Sequence, residues 1–190
     1  MEPWTRKKSL MRGVKFLTQF EPMEREVLGN LCSTVSEALI ERCQSAPKDE
    51  LAELTGMPSG HKDAPENPSL ARLLPDFERE GDEEYEGDNQ LLRSLHEIDI
   101  CRGKLTNLQK INEALGPTGG VQVQIEEADV DAWLQGLNDI RLFIAASDVG
   151  GGVDAEKQLY ALVEWLGYAQ DTLLSAVMGD LDIDESSGGA

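Results

Sequence analysis

Asn89-Gln90-Leu91-Leu92-Arg93-Ser94-Leu95-His96-Glu97-Ile98-Asp99-Ile100-Cys101-Arg102-Gly103-Lys104-Leu105-Thr106-Asn107-Leu108-Gln109-Lys110-Ile111-Asn112-Glu113-Ala114-Leu115 is the stretch on which the fold turns. Leu91, Leu92, Leu95, Ile98, Cys101, Leu105, Leu108, Ile111 and Leu115 recur in it at three- and four-residue intervals, the period of a helix with an apolar stripe. Gly116-Pro117 terminates it. A helix of this length can act as the scaffold of a mostly helical domain.

Beyond Gly116, Val121-Gln122-Val123-Gln124-Ile125 alternates strictly and reads as a strand. An isolated strand leaves backbone groups unpaired, so a partner is required. Residues 14–20 supply it: Val14, Phe16, Thr18 and Phe20 alternate with Lys15, Leu17 and Gln19. Glu21-Pro22 then opens a helix whose apolar positions, Val27, Leu28, Leu31, Cys32, Val35, Leu39 and Cys43, continue until Pro47. A short helical piece is expected over 49–54, and at most two turns over 69–75. Trp133, Leu134, Leu137, Ile140, Leu142, Phe143 and Ile144 give a helix with more than one apolar face, buried on two sides. After Gly150-Gly151-Gly152, Asp154 can cap a final helix bearing Leu159, Leu162, Val163, Leu166, Leu173, Leu174 and Val177. These readings predict a mostly α fold: a single-domain helical bundle of four or five main helices with a small two-stranded antiparallel β element.

The chain has 190 residues, enough for one core, and a formal charge of -19 from 36 acids against 17 Lys and Arg. That balance argues against broad contact with nucleic acid or anionic lipid, which needs clustered positive charge. The charge is uneven. Residues 1–20 hold Arg6, Lys7, Lys8, Arg12 and Lys15 against Glu2 alone, whereas 76–88 hold eight acids against Arg79. The expected organisation is a basic N-terminal arm (1–12), one helical domain (13–179) with a solvated acidic loop at 76–88, and a disordered acidic tail (180–190). No apolar segment follows the basic N-terminus as in a signal peptide, and no run approaches the length of a membrane span. Three cysteines, an odd number, do not make the dense framework of a secreted scaffold. A reducing cytoplasm is the expected compartment.

Site chemistry is sparse. The two histidines are His61, in a Gly/Pro-rich loop, and His96, which lies about 140° around a helix from Cys101 and cannot pair with it locally. No nucleophile elbow, phosphate-binding Gly loop or C-x-x-C occurs, and the acidic run lacks the register of an EF-hand. No enzymatic activity, metal or cofactor is expected. Cys32 and Cys43 share a face of one helix but stand roughly 16 Å apart along its axis, too far for a disulfide. A native bond would join one of them to Cys101, or to a second chain. The three can equally be inert packing thiols. Cys101, followed by Arg102 and Lys104, is the best placed for a lowered pKa, and Cys43, at a helix C-terminus, the worst. Asn138 and Arg141, polar on a mostly apolar helix, are candidates for partner contact or for structural pairing, the latter with Asp139 or another carboxylate.

Four segments in order, Phe20-Glu21-Pro22-Met23-Glu24, Ser69-Leu70-Ala71-Arg72-Leu73-Leu74-Pro75, 133–142 and 160–166, resemble an actinomycete family known as a domain of unknown function and typified by an oxidative-stress regulator. The resemblance spans residues 13–178. It implies a cytosolic, redox-responsive transcriptional regulator switched by cysteine oxidation and acting through contact with a sigma factor or RNA polymerase. The redox candidates are then Cys101, Cys32 and Cys43; the partner-binding candidates are Asn138, Arg141, Arg6, Lys7 and Lys8. On charge grounds DNA contact is weak or indirect, confined to the basic arm, with no membrane contact; a homodimer stays open. A constitutive adaptor with inert structural cysteines, whose acidic loop receives a basic partner, is the alternative.

Overall fold

The alternating segments form the expected antiparallel pair. Strand β2 (Gly13–Phe20) lies against β3 (Val121–Glu126), with Phe16 opposite Ile125 and Thr18 opposite Val123. Phe16, Thr18, Phe20, Val123 and Ile125 point into the core, while Gln122, Gln124 and Glu126 face water. The pair is extended by a strand not foreseen. β1 (Thr5–Ser9), inside the segment expected as a basic N-terminal arm, pairs antiparallel with β2, giving the order β1-β2-β3. Gly13, with φ of +73°, starts β2 in a conformation that favours glycine. Trp4 anchors the added strand: its ring meets Trp133 edge-on, with centroids 5.2 Å apart.

This computed structural model describes residues 1–9, 13–47, 60–78, 81, 85–148, 150 and 152–179. The short helix expected at 49–54 and the tail at 180–190 lie outside them.

Helix α1 (Pro22–Gln44) begins where proline suits the first turn, and the Glu24 carboxylate accepts the Glu21 N–H at 2.9 Å. It buries Leu28, Cys32, Val35 and Leu39. Helix α2 (Pro68–Leu73) is capped by Asn67, whose Oδ1 accepts the N–H groups of Ser69 and Leu70. Helix α3 (Tyr85–Leu115) starts inside the stretch expected as an acidic loop, as acids suit the positive end of a helix dipole. The beginning of that stretch is also fixed, because Asn89 Oδ1 accepts the N–H groups of Phe77 and Glu78 at 2.7 and 3.0 Å. A 3-10 turn (Glu127–Asp129) leads from β3 into α4 (Val130–Ala145). Helix α5 (Val153–Met178) is entered through Gly152, at φ +74°, and Asp154 sits in its first turn rather than at the cap.

Helix α4 occupies the centre, packing on α1, α2, α3 and α5. It buries Trp133, Leu137, Ile140, Phe143 and Ile144, the two-sided burial expected. Shielding Trp133 alone contributes roughly 2–3 kcal/mol. Gly136 permits the close crossing of α4 on α3: a Cβ there would stand 2.6 Å from Ile111 Cδ1. Among the described residues no helix is long and apolar enough to cross a membrane.

Candidate functional site: a thiol pair beside a buried ion-pair chain

In the first half of α3, where it meets the end of α1, the buried face is not the leucine stripe. Asn89, Arg93, Glu97 and Cys101, four residues apart, point inward instead, and Leu91 is 57% exposed. Arg93 is held on every side. Its Nη1 donates to Glu97 Oε2 at 2.7 Å and to the Leu74 carbonyl at 3.2 Å; its Nη2 donates to Asp76 Oδ1 at 2.7 Å. The other Glu97 oxygen accepts Arg42 Nε of α1 at 2.7 Å, and Arg42 Nη2 reaches the Asp63 carbonyl. One buried carboxylate thus joins two guanidiniums from two helices. Desolvating such groups costs several kcal/mol per ion, which only complete pairing of this kind offsets.

Cys101 lies one turn beyond Glu97, fully buried, and Cys43 follows Arg42 in the last turn of α1, half-buried. The two thiols are side by side. Burial pushes the Cys101 thiol up to about 12, and Cys43, by its charge and its hydrogen bonding, pushes the same way. Glu97 adds to the rise and Arg42 opposes it. The expectation of a lowered pKa at Cys101 is therefore overturned. The cations meant to lower it are engaged elsewhere: Arg102 donates to Asp99 on the exposed surface, and Lys104 pairs with Asp139 of α4 at 2.7 Å. Cys32, in the middle of α1, is buried, and burial drives its thiol up to about 12 as well. α1 runs unbroken from Cys32 to Cys43, so these two stay roughly 16 Å apart. A cleft of about 300 Å³ lined by Cys32, Ser33, Ile40, Leu108 and Asn112 lies at the Cys32 end of the seam.

Of the other residues singled out in the sequence, only His61 lies near the thiol pair. His61 Nε2 lies 2.9 Å from the Arg42 carbonyl, at the exit of α1. That segment is docked on α3 through Gly60, whose N–H donates to the Ser94 carbonyl at 3.0 Å and where a Cβ would come within 2.9 Å of the same oxygen. His96 is exposed, near the Phe77 ring. Arg141 Nη2 donates to Asn138 Oδ1 at 3.1 Å, so these two pair with each other. Asn138 also borders a polar groove of about 460 Å³ with Lys104, Asn107, Gln135 and Asp139. Arg6 is half-buried on β1, and Lys7 and Lys8 are exposed there. Among the described residues no three His, Cys, Asp or Glu side chains converge as a metal site.

Sequence reasoning missed Arg42, Arg93 and Glu97. The available signal was the four-residue line Asn89, Arg93, Glu97, Cys101, which continues into Leu105 and Leu108.

The profile of a family described as "Domain of unknown function (DUF2017)" matches residues 1–177. Over 184 aligned residues the chain is 32% identical to the oxidative stress regulator AosR of Mycobacterium tuberculosis (strain ATCC 25618 / H37Rv), a match covering 88% of this chain and 84% of that protein. The protein of the same name from Mycobacterium bovis matches to the same extent. The putative oxidative stress regulator AosR of Mycobacterium leprae is 31% identical, over 87% of this chain and 84% of its own length. No solved structure matches significantly.

Proposed function

The chain belongs to the DUF2017 family, and from this membership we propose that it is a regulator in the response to oxidative stress, with Cys43 and Cys101 as its responsive thiols. The observation that carries this reading is the placement of these two cysteines side by side on different helices. The names of its relatives, at 31–32% identity along most of the chain, support the regulatory part.

Cys43 is the partly accessible thiol and takes the oxidant. Hydrogen peroxide transfers one oxygen to its sulfur, giving a sulfenic acid and a molecule of water. The Cys101 sulfur, losing its proton, then attacks the sulfenic sulfur and expels the hydroxyl as a second water. The peroxide is reduced and the two thiols become one disulfide. A bond at this point ties the last turn of α1 to the middle of α3, beside the Arg42–Glu97 contact. Drawing the two helices together disturbs that ion pair, and through Arg93 and Asp76 the change reaches the segment at 76–78 that leads into the acidic stretch. The altered surface is read by a protein, in this proposal a sigma factor or RNA polymerase, because a chain with charge -19 is poorly suited to grip DNA by itself.

A constitutive adaptor is the second reading, and one observation favours it. Cys32 and Cys101 are both buried with thiols pushed up to about 12, as in packing cysteines. Pull-down from a native host with and without mild peroxide separates the two. Partner capture that changes with oxidant in the wild type and not in Cys43→Ser supports the regulator; capture indifferent to oxidant supports the adaptor.

A further inference from the structure

The last helix has two apolar faces, and the described residues cover only one of them. Leu166, Ala169 and Leu173 of α5 are buried against the domain. On the opposite side Val153, Tyr160, Tyr168, Leu174 and Met178 are 44–66% exposed. At 100° per residue these five fall within an arc of about 120° that runs the length of the helix. Half of the ten large apolar side chains exposed among the described residues are therefore gathered on this face. Beside it, between α5 and the start of α1, Met23, Val27, Leu162 and Trp165 line a groove of about 440 Å³. Contiguous apolar surface of this kind marks a contact site rather than a solvated helix side.

The charges on the face indicate what covers it. Lys157 is the single cation of α5, and Glu164 and Asp171 follow it at seven-residue intervals on the same side, all three exposed. Lys157 and Asp171 thus stand about two turns before and after Glu164, and Tyr160 and Tyr168 about one turn before and after it. That spacing is self-complementary. With a second α5 laid antiparallel and the two-fold axis at Glu164, each Lys157 meets the Asp171 of the other copy and each Tyr160 meets the other Tyr168. Val153 then falls beside the other copy's Leu174. An isologous contact makes each of these pairs twice. Lys157 is available for it, because its contact with Asp154 of its own chain is 3.9 Å long and lies between exposed groups. Glu164, at the axis, acts on Tyr160 of its own helix, raising the pKa of that hydroxyl by hydrogen bonding and by charge. Its carboxylate is engaged there, one turn away from its counterpart.

We propose that this face of α5 is where two copies of the chain meet, as an antiparallel α5–α5 pair centred on Glu164 with reciprocal Lys157–Asp171 contacts. Opposite signs at matched distances from one centre favour a second copy over a partner of a single charge sign. No cysteine lies on α5, so the fate of this contact and that of the redox reading are separable.

Sedimentation equilibrium of the full chain tests it, under reducing conditions that exclude a disulfide between copies and at about 0.15 M salt, which screens the repulsion of two chains of charge -19. The wild type is expected to be mainly dimeric at about 100 μM and mainly monomeric after roughly hundredfold dilution. Lys157→Asp and Asp171→Lys, each setting like charges opposite one another, are expected to weaken the dimer by about tenfold or more. The double variant Lys157→Asp, Asp171→Lys is expected to restore it to within about threefold of wild type. Both positions are exposed, so the variants keep the fold, and their circular dichroism verifies this. A monomer at every concentration overturns the proposal. So does a dimer indifferent to both single variants, which puts the interface elsewhere. Losses in the single variants that the double variant does not restore overturn the antiparallel register.

Discussion

Cys32 and Cys43 lie on the same face of the same helix, three turns apart, and their surroundings differ in the way that decides chemistry. Cys32 is buried in the seam between α1 and α3, roughly 16 Å along the helix from Cys43, and its thiol is pushed up to about 12 by burial. Cys43 is half-exposed, follows an arginine locked into an ion-pair chain, and sits against the thiol of Cys101. Burial alone makes a cysteine a small apolar side chain. A second thiol within reach, with one of the pair open to solvent, gives it a reaction to perform.

The contrast can be disrupted most severely at the ion-pair chain that frames one end of α1 and not its middle. Glu97→Ala leaves two guanidiniums, one of them buried, without their common carboxylate, and is expected to cost about 3–5 kcal/mol in urea unfolding. A loss below about 1 kcal/mol would mean that the chain is ornamental. Next in size is the cost of the two thiols themselves. Cys32→Ala opens space in a packed seam and should cost about 1–2 kcal/mol, whereas Cys43→Ala, at a half-buried helix end, should stay below about 1 kcal/mol. Equal costs would remove the distinction between the two sites.

Titration offers a further test of the burial of Cys32. A thiol whose folded pKa stands above its unfolded value contributes stability that is complete below the unfolded pKa and is lost as pH rises toward the folded one. For Cys32 that window runs from 9.0 to about 12. Wild-type stability should therefore decline across it, and Cys32→Ala should decline less steeply over the same range; parallel curves would contradict the burial of that thiol. The smallest effect is expected at Arg102, which pairs with Asp99 on the exposed surface. Arg102→Ala should shift stability by less than about 0.5 kcal/mol and leave the alkylation rate of Cys101 unchanged. A slower rate in the variant would restore Arg102 as an activating charge.

Helix and strand periods made most of the fold legible in the sequence: the apolar stripe of α1, the end of α3 at Gly116, the pairing of residues 14–20 with 121–125, and the two-sided burial of α4. β1 was hidden because Arg6, Lys7 and Lys8 suppress the strand signal, and the residue that fixes it, Trp4, has its partner in Trp133, far away in sequence. In the first half of α3 the leucines gave the stronger periodicity, while Arg93 and Glu97, four apart, looked like a surface pair. Their burial depends on Asp76 and Arg42, which no local pattern connects to them. The site was half legible. Helical rise excluded a bond between Cys32 and Cys43 and pointed to Cys101, but selecting Cys43 over Cys32 required the packing of α1 on α3. The expected activation of Cys101 failed because neighbours in sequence, Arg102 and Lys104, face other helical directions and other acids.

Whether oxidation joins the end of α1 to α3 can be decided by brief treatment of the folded protein with mild peroxide, blocking of remaining thiols, and mass spectrometry of the peptides under non-reducing conditions. The expected product is a peptide pair linked through Cys43 and Cys101, with Cys32 recovered as a free thiol that is alkylated only after denaturation. Recovery of all three thiols unoxidised, or a linkage through Cys32, would contradict the proposed switch.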